Sequence, residues 1–428
     1  MQISTRKGEN HLLGMGEYAA MYLINWNPEL LKMGFDQNKI GAIMERFLPE
    51  KMRRDSEKKL KKNEIEQFQR EYNKQLNLIK EFKITLPKVR RLLANIPTYM
   101  IFDDHDITDD WNITESWKAK VMSSSLGKHV IANGLTTYWA FQGWGNDPNR
   151  FNDSFIQKIT NYTTDYQIKS SNYQEWMNSL FDFKQWFYIA PTNPKTVILD
   201  TRTQRSYPKT KAHLLNYGFI DNQFQAPNLL SDEGWNLVSS HLLANGWSEG
   251  SPLIIVSAAP LLGIGLIDTF LSEVIQPLSQ FNSSIGTTFD LEWWKFNERG
   301  YEGLQEKLGL WNPSTCIILS GDAHMAFSYQ AKIVDETIPL YQFTSSPIKN
   351  VTFDGLRGAI MKSALILNEY IGNHSFRIQN KQIEYNVFEN GSLIETVNNI
   401  GFLKFTENEW NHTYLNSNGI PINRKDRI

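Results

Sequence analysis

Two short segments concentrate the side chains able to do chemistry. Asp103-Asp104-His105-Asp106-Ile107-Thr108-Asp109-Asp110 packs five aspartates and one histidine into eight residues. Carboxylates this close raise one another's pKa, and a bound cation relieves the repulsion. Oxygen-rich ligands with an imidazole suit hard or borderline ions such as Mg, Ca, Mn, Fe or Zn. The plain alternative is an acidic loop that caps helices. The second segment is Gly321-Asp322-Ala323-His324. In extended backbone Asp322 and His324 would project to one side, and Gly321 lets the main chain approach an ion closely. Its plain alternative is a turn with a capping aspartate. Arg202 and Arg205 follow Asp200. Arginine forks suit phosphate oxygens. A salt bridge from Arg202 to the acidic loop is the competing reading.

These residues need elements to hold them. Four apolar runs end in polar residues: Thr98–Phe102 before Asp103, Thr196–Leu199 before Asp200, Leu253–Val256 before Ser257, and Thr315–Leu319 before Ser320. Short β-branched or aromatic runs read as buried strands. Ligands of α/β folds bind at the carboxyl ends of strands, so a shared site follows if the four are neighbours. Further strands are expected near Ser328–Val334 and Pro339–Phe343. Ser231 with Asp232 and Glu233 starts a helix running to about Ala244, and another lies near Tyr301–Leu308. Asn112 with Glu115 resembles a capping box. Ile65, Phe68, Tyr72, Leu76 and Ile79 form one helical stripe. His374–Glu407, alternating around Asn390-Gly391, reads as a hairpin-rich sheet edge. The expected division is a helical segment over 1–97, a core over 98–350 and a β-rich extension over 351–428.

Other chemistries lack their residues. The single cysteine, Cys316, rules out an intrachain disulfide or a thiolate cluster. No phosphate-binding glycine loop or Gly-x-Ser-x-Gly elbow occurs, and Gly143-Trp144-Gly145 follows no strand. His11, His129, His213, His241, His374 and His412 stand in no ligand spacing. A net charge of −2 argues against a general polyanion binder, so no specific nucleic-acid partner is expected. The basic run Lys51–Lys62 reads as a solvated helix face, with a lid or an anionic-ligand surface as the sharper alternative. The apolar run Pro252–Ile267 is shorter than the ~20 residues a bilayer span needs, and no transmembrane segment is expected. The start, Met1 to Lys7, does not read as a signal peptide, and the compartment stays open.

Taken together, Pro97–Ile107, Leu199–Arg205 and Leu319–His324 resemble the alkaline phosphatase D-like (PhoD-like) branch of the calcineurin-like metallophosphatases. Weaker matches are Ser257–Pro260, Gly300-Tyr301 with Leu304, and Thr344–Asn350, all in the family's order. The resemblance implies an α/β (α+β) fold: a calcineurin-like β-sandwich flanked by helices, with a helical N-terminal insertion and a C-terminal β-rich extension. It implies a metal-dependent phosphoester hydrolase acting on a small-molecule phosphomonoester or phosphodiester, with divalent or trivalent Fe, Ca, Mn, Zn or Mg as cofactor. It places Asp104, Asp322 and His324, with Asp103, as metal ligands, His105 as acid or transition-state stabiliser, and Arg202 on the substrate. The family's early Gly-Asp-Gln-Ile-Tyr motif is missing. The chain is therefore expected to be the larger C-terminal part of such an enzyme, or a catalytically impaired homologue acting as a binding protein.

Overall fold

The computed structural model describes residues 11–33, 39, 58–207, 227–263, 293–294, 298–333, 338–345, 373–378, 381–387, 398–406 and 410–422. The expectations on Lys51–Glu57, Ser346–Asn350 and Asn390-Gly391 fall outside them. Two compact units divide the chain, one of Leu12–Tyr99 and one containing Met100–Ile428.

The first unit is helical. It comprises α1, Met15–Trp26, a 3-10 turn at Leu30–Met33, and the long helix α2, Lys58–Asn95. Within α2, Tyr72, Leu76 and Ile79 are half-buried among exposed neighbours, as the helical stripe requires. No helix among the described residues is long and apolar enough to cross a membrane.

The second unit is mixed α/β. Its first half holds α3, Glu115–Ser123, α4, Ser125–Tyr138, a π-helical turn at Trp139–Gly143, α5, Asp153–Asp165, and α6, Ser171–Asp182. Side chains set the starts: Asn152 accepts from Phe155 N and Ser170 from Tyr173 N, satisfying amides that a helix start leaves unpaired. Strands β1, Tyr188–Ala190, β2, Lys195–Ile198, and β3, Leu253–Ser257, follow, with α7, Asp232–Ala244, before β3 and α8, Glu298–Trp311, after it. Then come β4, Cys316–Ser320, β5, Phe327–Ile333, β6, Leu340–Thr344, β7, Asn373–Ile378, and β8, Lys381–Val387. Ser231 caps α7 by accepting from Gly234 N at 3.1 Å, and Asp232 and Glu233 favour its positive end.

These strands form one eight-stranded sheet in the order β1-β2-β3-β4-β6-β5-β8-β7. Neighbouring β2, β3, β4 and β6 run parallel, with Ile198 opposite Val256, Val256 opposite Leu319, and Leu319 opposite Phe343. Their carboxyl ends therefore share one edge of the sheet. Among the described residues a separate two-stranded ribbon is formed by β9, Ile400–Phe405, and β10, Trp410–Leu415. Tyr414 Oη donates to the carbonyls of Phe327 (2.7 Å) and Thr344 (2.9 Å), tying this ribbon to β5 and β6. In the C-terminal part β7 pairs with β8, and β8 pairs with β5, which lengthens the main sheet.

Two local expectations are corrected. Thr98–Phe102 forms no strand. Side chains take the main-chain groups that a ladder would use. The Met100 carbonyl accepts from Tyr138 Oη at 2.9 Å, Tyr188 Oη at 2.9 Å and Asn146 Nδ2 at 2.6 Å, and Asn146 Oδ1 accepts from Met100 N. The cap of α3 is Thr114, which accepts from Trp117 N at 3.1 Å. Asn112 instead adopts φ 60° and donates to the Arg202 carbonyl at 3.0 Å.

Two apolar clusters make the core. One joins the sheet to α7 and α8 through Val197, Ile255, Ile318, Trp235, Val238 and Leu304. The other packs α3 to α6 around Trp139, Tyr162 and Trp176, and it includes Phe102, Ile107 and Trp111. The acidic segment is thus pinned by its own apolar residues. Phe102 is 1 % exposed and lies edge-on to Tyr138 at 4.7 Å, and burying such a ring contributes ~1.5–3 kcal/mol. A Cβ on Gly134 would come within 2.9 Å of Ile107 Cγ1, so α4 can lie against the loop only because it has glycine there.

His412 gives the ribbon a pH dependence. It is buried, stacks on Phe343 at 3.9 Å, and burial pushes its pKa down to about 3 from 6.5. A folded pKa below the unfolded one means that the stability is fully present above pH 6.5 and is lost as pH falls toward 3. His412→Phe is expected to flatten the fall in melting temperature across that window. An unchanged slope in a pH series of thermal melts would contradict this.

Candidate metal centre

The acidic loop is a set of turns built on one carboxylate. The Asp104 carbonyl accepts from Ile107 N (2.9 Å) and Thr108 N (2.7 Å). Its side chain accepts from His105 N at Oδ1 (2.8 Å) and from Asp110 N at Oδ2 (3.0 Å). Asp104 is buried and immobilised by the backbone around it. Asp106 closes the other side, with Oδ2 accepting from Asp103 N at 2.9 Å. Burial pushes the Asp106 carboxyl up to about 6. The Asp103 amide opposes that rise, and the charges of Asp103 and Asp104 add to it.

At the carboxyl end of β2, Asp200 organises the next turn. It is buried and accepts from Arg202 N at 3.1 Å, Thr203 N at 2.8 Å and Thr203 Oγ1. Burial raises its pKa, and these bonds oppose the rise. The turn aims Arg202 back at the acidic loop. Its Nε lies 2.5 Å from Asp103 Oδ1 and its Nη2 3.4 Å from Asp104 Oδ1. Arg205 bonds the Thr201 carbonyl at 2.8 Å, and both arginines reach the Trp111 carbonyl at 3.4 Å. The Arg202 side chain is 1 % exposed. Of its two sequence readings, the ion pair to the acidic loop is the one formed in this structure.

Asp322 stands just past β4. The Gly321 amide donates to the Ala258 carbonyl beyond β3 at 3.2 Å, drawing the two strand ends together. The backbone here is not extended, as the two-residue spacing assumed. Asp322 has φ 65° and His324 φ 55°, both left-handed. Asp and His tolerate that region better than most side chains. Strain of this kind concentrates at functional sites.

Carboxylate oxygens of Asp103, Asp104 and Asp322 lie within 4.8 Å of one another. A second group, Asp104, His105 and Asp109, meets the same criterion and shares Asp104. His105 is two-thirds exposed at the rim, its Nε2 3.8 Å from Asp109 Oδ1. His324, half-buried in the β4–β5 loop, belongs to neither group. The left-handed turn removes the shared direction that an extended Asp-x-His would give. Sequence reasoning gave no site role of their own to Asp109, Asp200 or Asn112. Asp109 was visible only as one of five aspartates, Asp200 acts through local bonds to Arg202 and Thr203, and Asn112 acts through a contact remote in sequence.

Comparison with family models, with curated proteins and with solved structures finds no match. The chemistry of the centre therefore rests on its own donors. Two of the three carboxylates, those of Asp103 and Asp104, touch the Arg202 guanidinium, and a hard cation with oxygen ligands matches the donor type.

Proposed function

We propose that the chain is a metal-dependent phosphoester hydrolase of the alkaline phosphatase D-like, calcineurin-like kind, acting on phosphomonoesters or phosphodiesters. One observation supports the reading above the others: the carboxylates of Asp103, Asp104 and Asp322, from loops far apart in sequence, converge at the carboxyl ends of parallel strands.

Asp103, Asp104 and Asp322 would hold the ion, with Asp104 shared toward His105 and Asp109. When bound, a divalent ion supplies charge for phosphoryl oxygens and acidifies water at neutral pH. The protein does the rest. Backbone amides of His105 and Asp110 fix the Asp104 carboxylate, so little reorganises on binding. His105, exposed beside the donors, holds a proton on its imidazole and delivers it to the leaving oxygen.

Protein stripped with EDTA is expected to be inert toward bis-p-nitrophenyl phosphate and p-nitrophenyl phosphate, and to gain turnover of at least one on adding Mn²⁺. Failure of both esters to react under every divalent ion, with the metal bound, would remove the hydrolase reading and leave a binding protein.

A further inference from the structure

We propose that Arg202 is a positioning residue: a resident counter-cation that shares the Asp103 and Asp104 carboxylates with the metal, holding the centre assembled without an ion and moderating its affinity for one. The inference rests on the metal-centre reading above and adds what this side chain does there.

Three observations carry it. Arg202 is among the largest fully buried side chains of the protein. Its guanidinium touches both carboxylates through different nitrogens, Nε to Asp103 and Nη2 to Asp104. Its backbone is fixed on both sides, the amide by Asp200 and the carbonyl by Asn112 Nδ2. A flexible surface ion pair has none of these supports and contributes little. A buried pair whose partner is removed leaves an uncompensated charge, which is strongly destabilising. Here a cation is the natural replacement, because it would meet the same oxygens. Guanidinium and metal thus repel each other across shared ligands while each relieves the carboxylate repulsion.

The sign follows. Removing the guanidinium charge raises the free energy of the metal-free state more than that of the loaded state, so metal binds more tightly. Arg202→Met is expected to bind Mn²⁺ about tenfold more tightly than wild type, and its Mn²⁺-induced rise in melting temperature is expected to be larger. Arg202→Lys keeps the charge without the fork and is expected to stay near wild type in Mn²⁺ affinity. Free Mn²⁺, read by electron paramagnetic resonance during titration of the full chain, gives the affinities. Equal or weaker Mn²⁺ binding by Arg202→Met overturns the proposal and leaves the centre reading intact. No Mn²⁺ binding by wild type overturns both. If Arg202→Met does not fold metal-free, refolding from urea decides: recovery of the native circular dichroism signal with Mn²⁺ but not with EDTA is expected, and failure in both overturns the proposal.

Discussion

Replacing Asp322 with asparagine is expected to lower kcat/KM for bis-p-nitrophenyl phosphate by more than about 100-fold at saturating Mn²⁺, since even residues behind metal ligands are worth ~10–100-fold. Asparagine is the informative substitution. It keeps the size of the side chain and tolerates the left-handed backbone at φ 65°, so the β4–β5 turn survives and only the carboxylate charge is lost. Far-UV circular dichroism should therefore be unchanged. Mn²⁺ affinity should fall together with turnover, because one of the three converging carboxylates is gone. An Asp322→Asn protein with full turnover and wild-type Mn²⁺ affinity would show that the proximity of Asp322 to Asp103 and Asp104 has no functional content.

His105→Ala separates chemistry from metal holding. His105 is two-thirds exposed and stands outside the Asp103, Asp104 and Asp322 group. Its loss is expected to leave Mn²⁺ at those carboxylates while lowering turnover by ~10²–10⁴-fold, the usual contribution of a general acid or base. A proton donor matters most when the leaving oxygen is basic. The loss should therefore be larger for phenyl phosphate than for p-nitrophenyl phosphate. Equal losses on both esters, accompanied by weakened Mn²⁺ binding, would make His105 a ligand through the group it shares with Asp104 and Asp109. Unchanged turnover would exclude it from the reaction.

The parts legible in the sequence are those where local pattern and tertiary role agree. Thr196–Leu199, Leu253–Val256 and Thr315–Leu319 were readable because an interior strand with a parallel neighbour is apolar almost throughout. Each ended where the structure ends it to within a residue or so. Ser231 announced α7 because its cap is a contact three residues away. Thr98–Phe102 has the composition of such a strand and is not one. What decides it is the capture of the Met100 carbonyl by Tyr138, Asn146 and Tyr188, and no local rule reveals three donors so distant in sequence.

The centre divides the same way. Clustered aspartates displayed their repulsion in the sequence itself, and Asp322 was recognisable at a strand end. The partner of Arg202 was not, because phosphate and carboxylate make the same demand on a guanidinium. Only the turn organised by Asp200 settles which one it meets. The shared direction of Asp322 and His324 assumed an extended backbone, and both residues instead have positive φ.

Anomalous diffraction from a crystal equilibrated with Mn²⁺ tests the centre most directly. The expected result is a peak at coordination distance, ~2.0–2.3 Å, from carboxylate oxygens of Asp103, Asp104 and Asp322 together. A map with no peak there, the three carboxylates splayed apart and Arg202 alone on Asp103, would contradict the assignment.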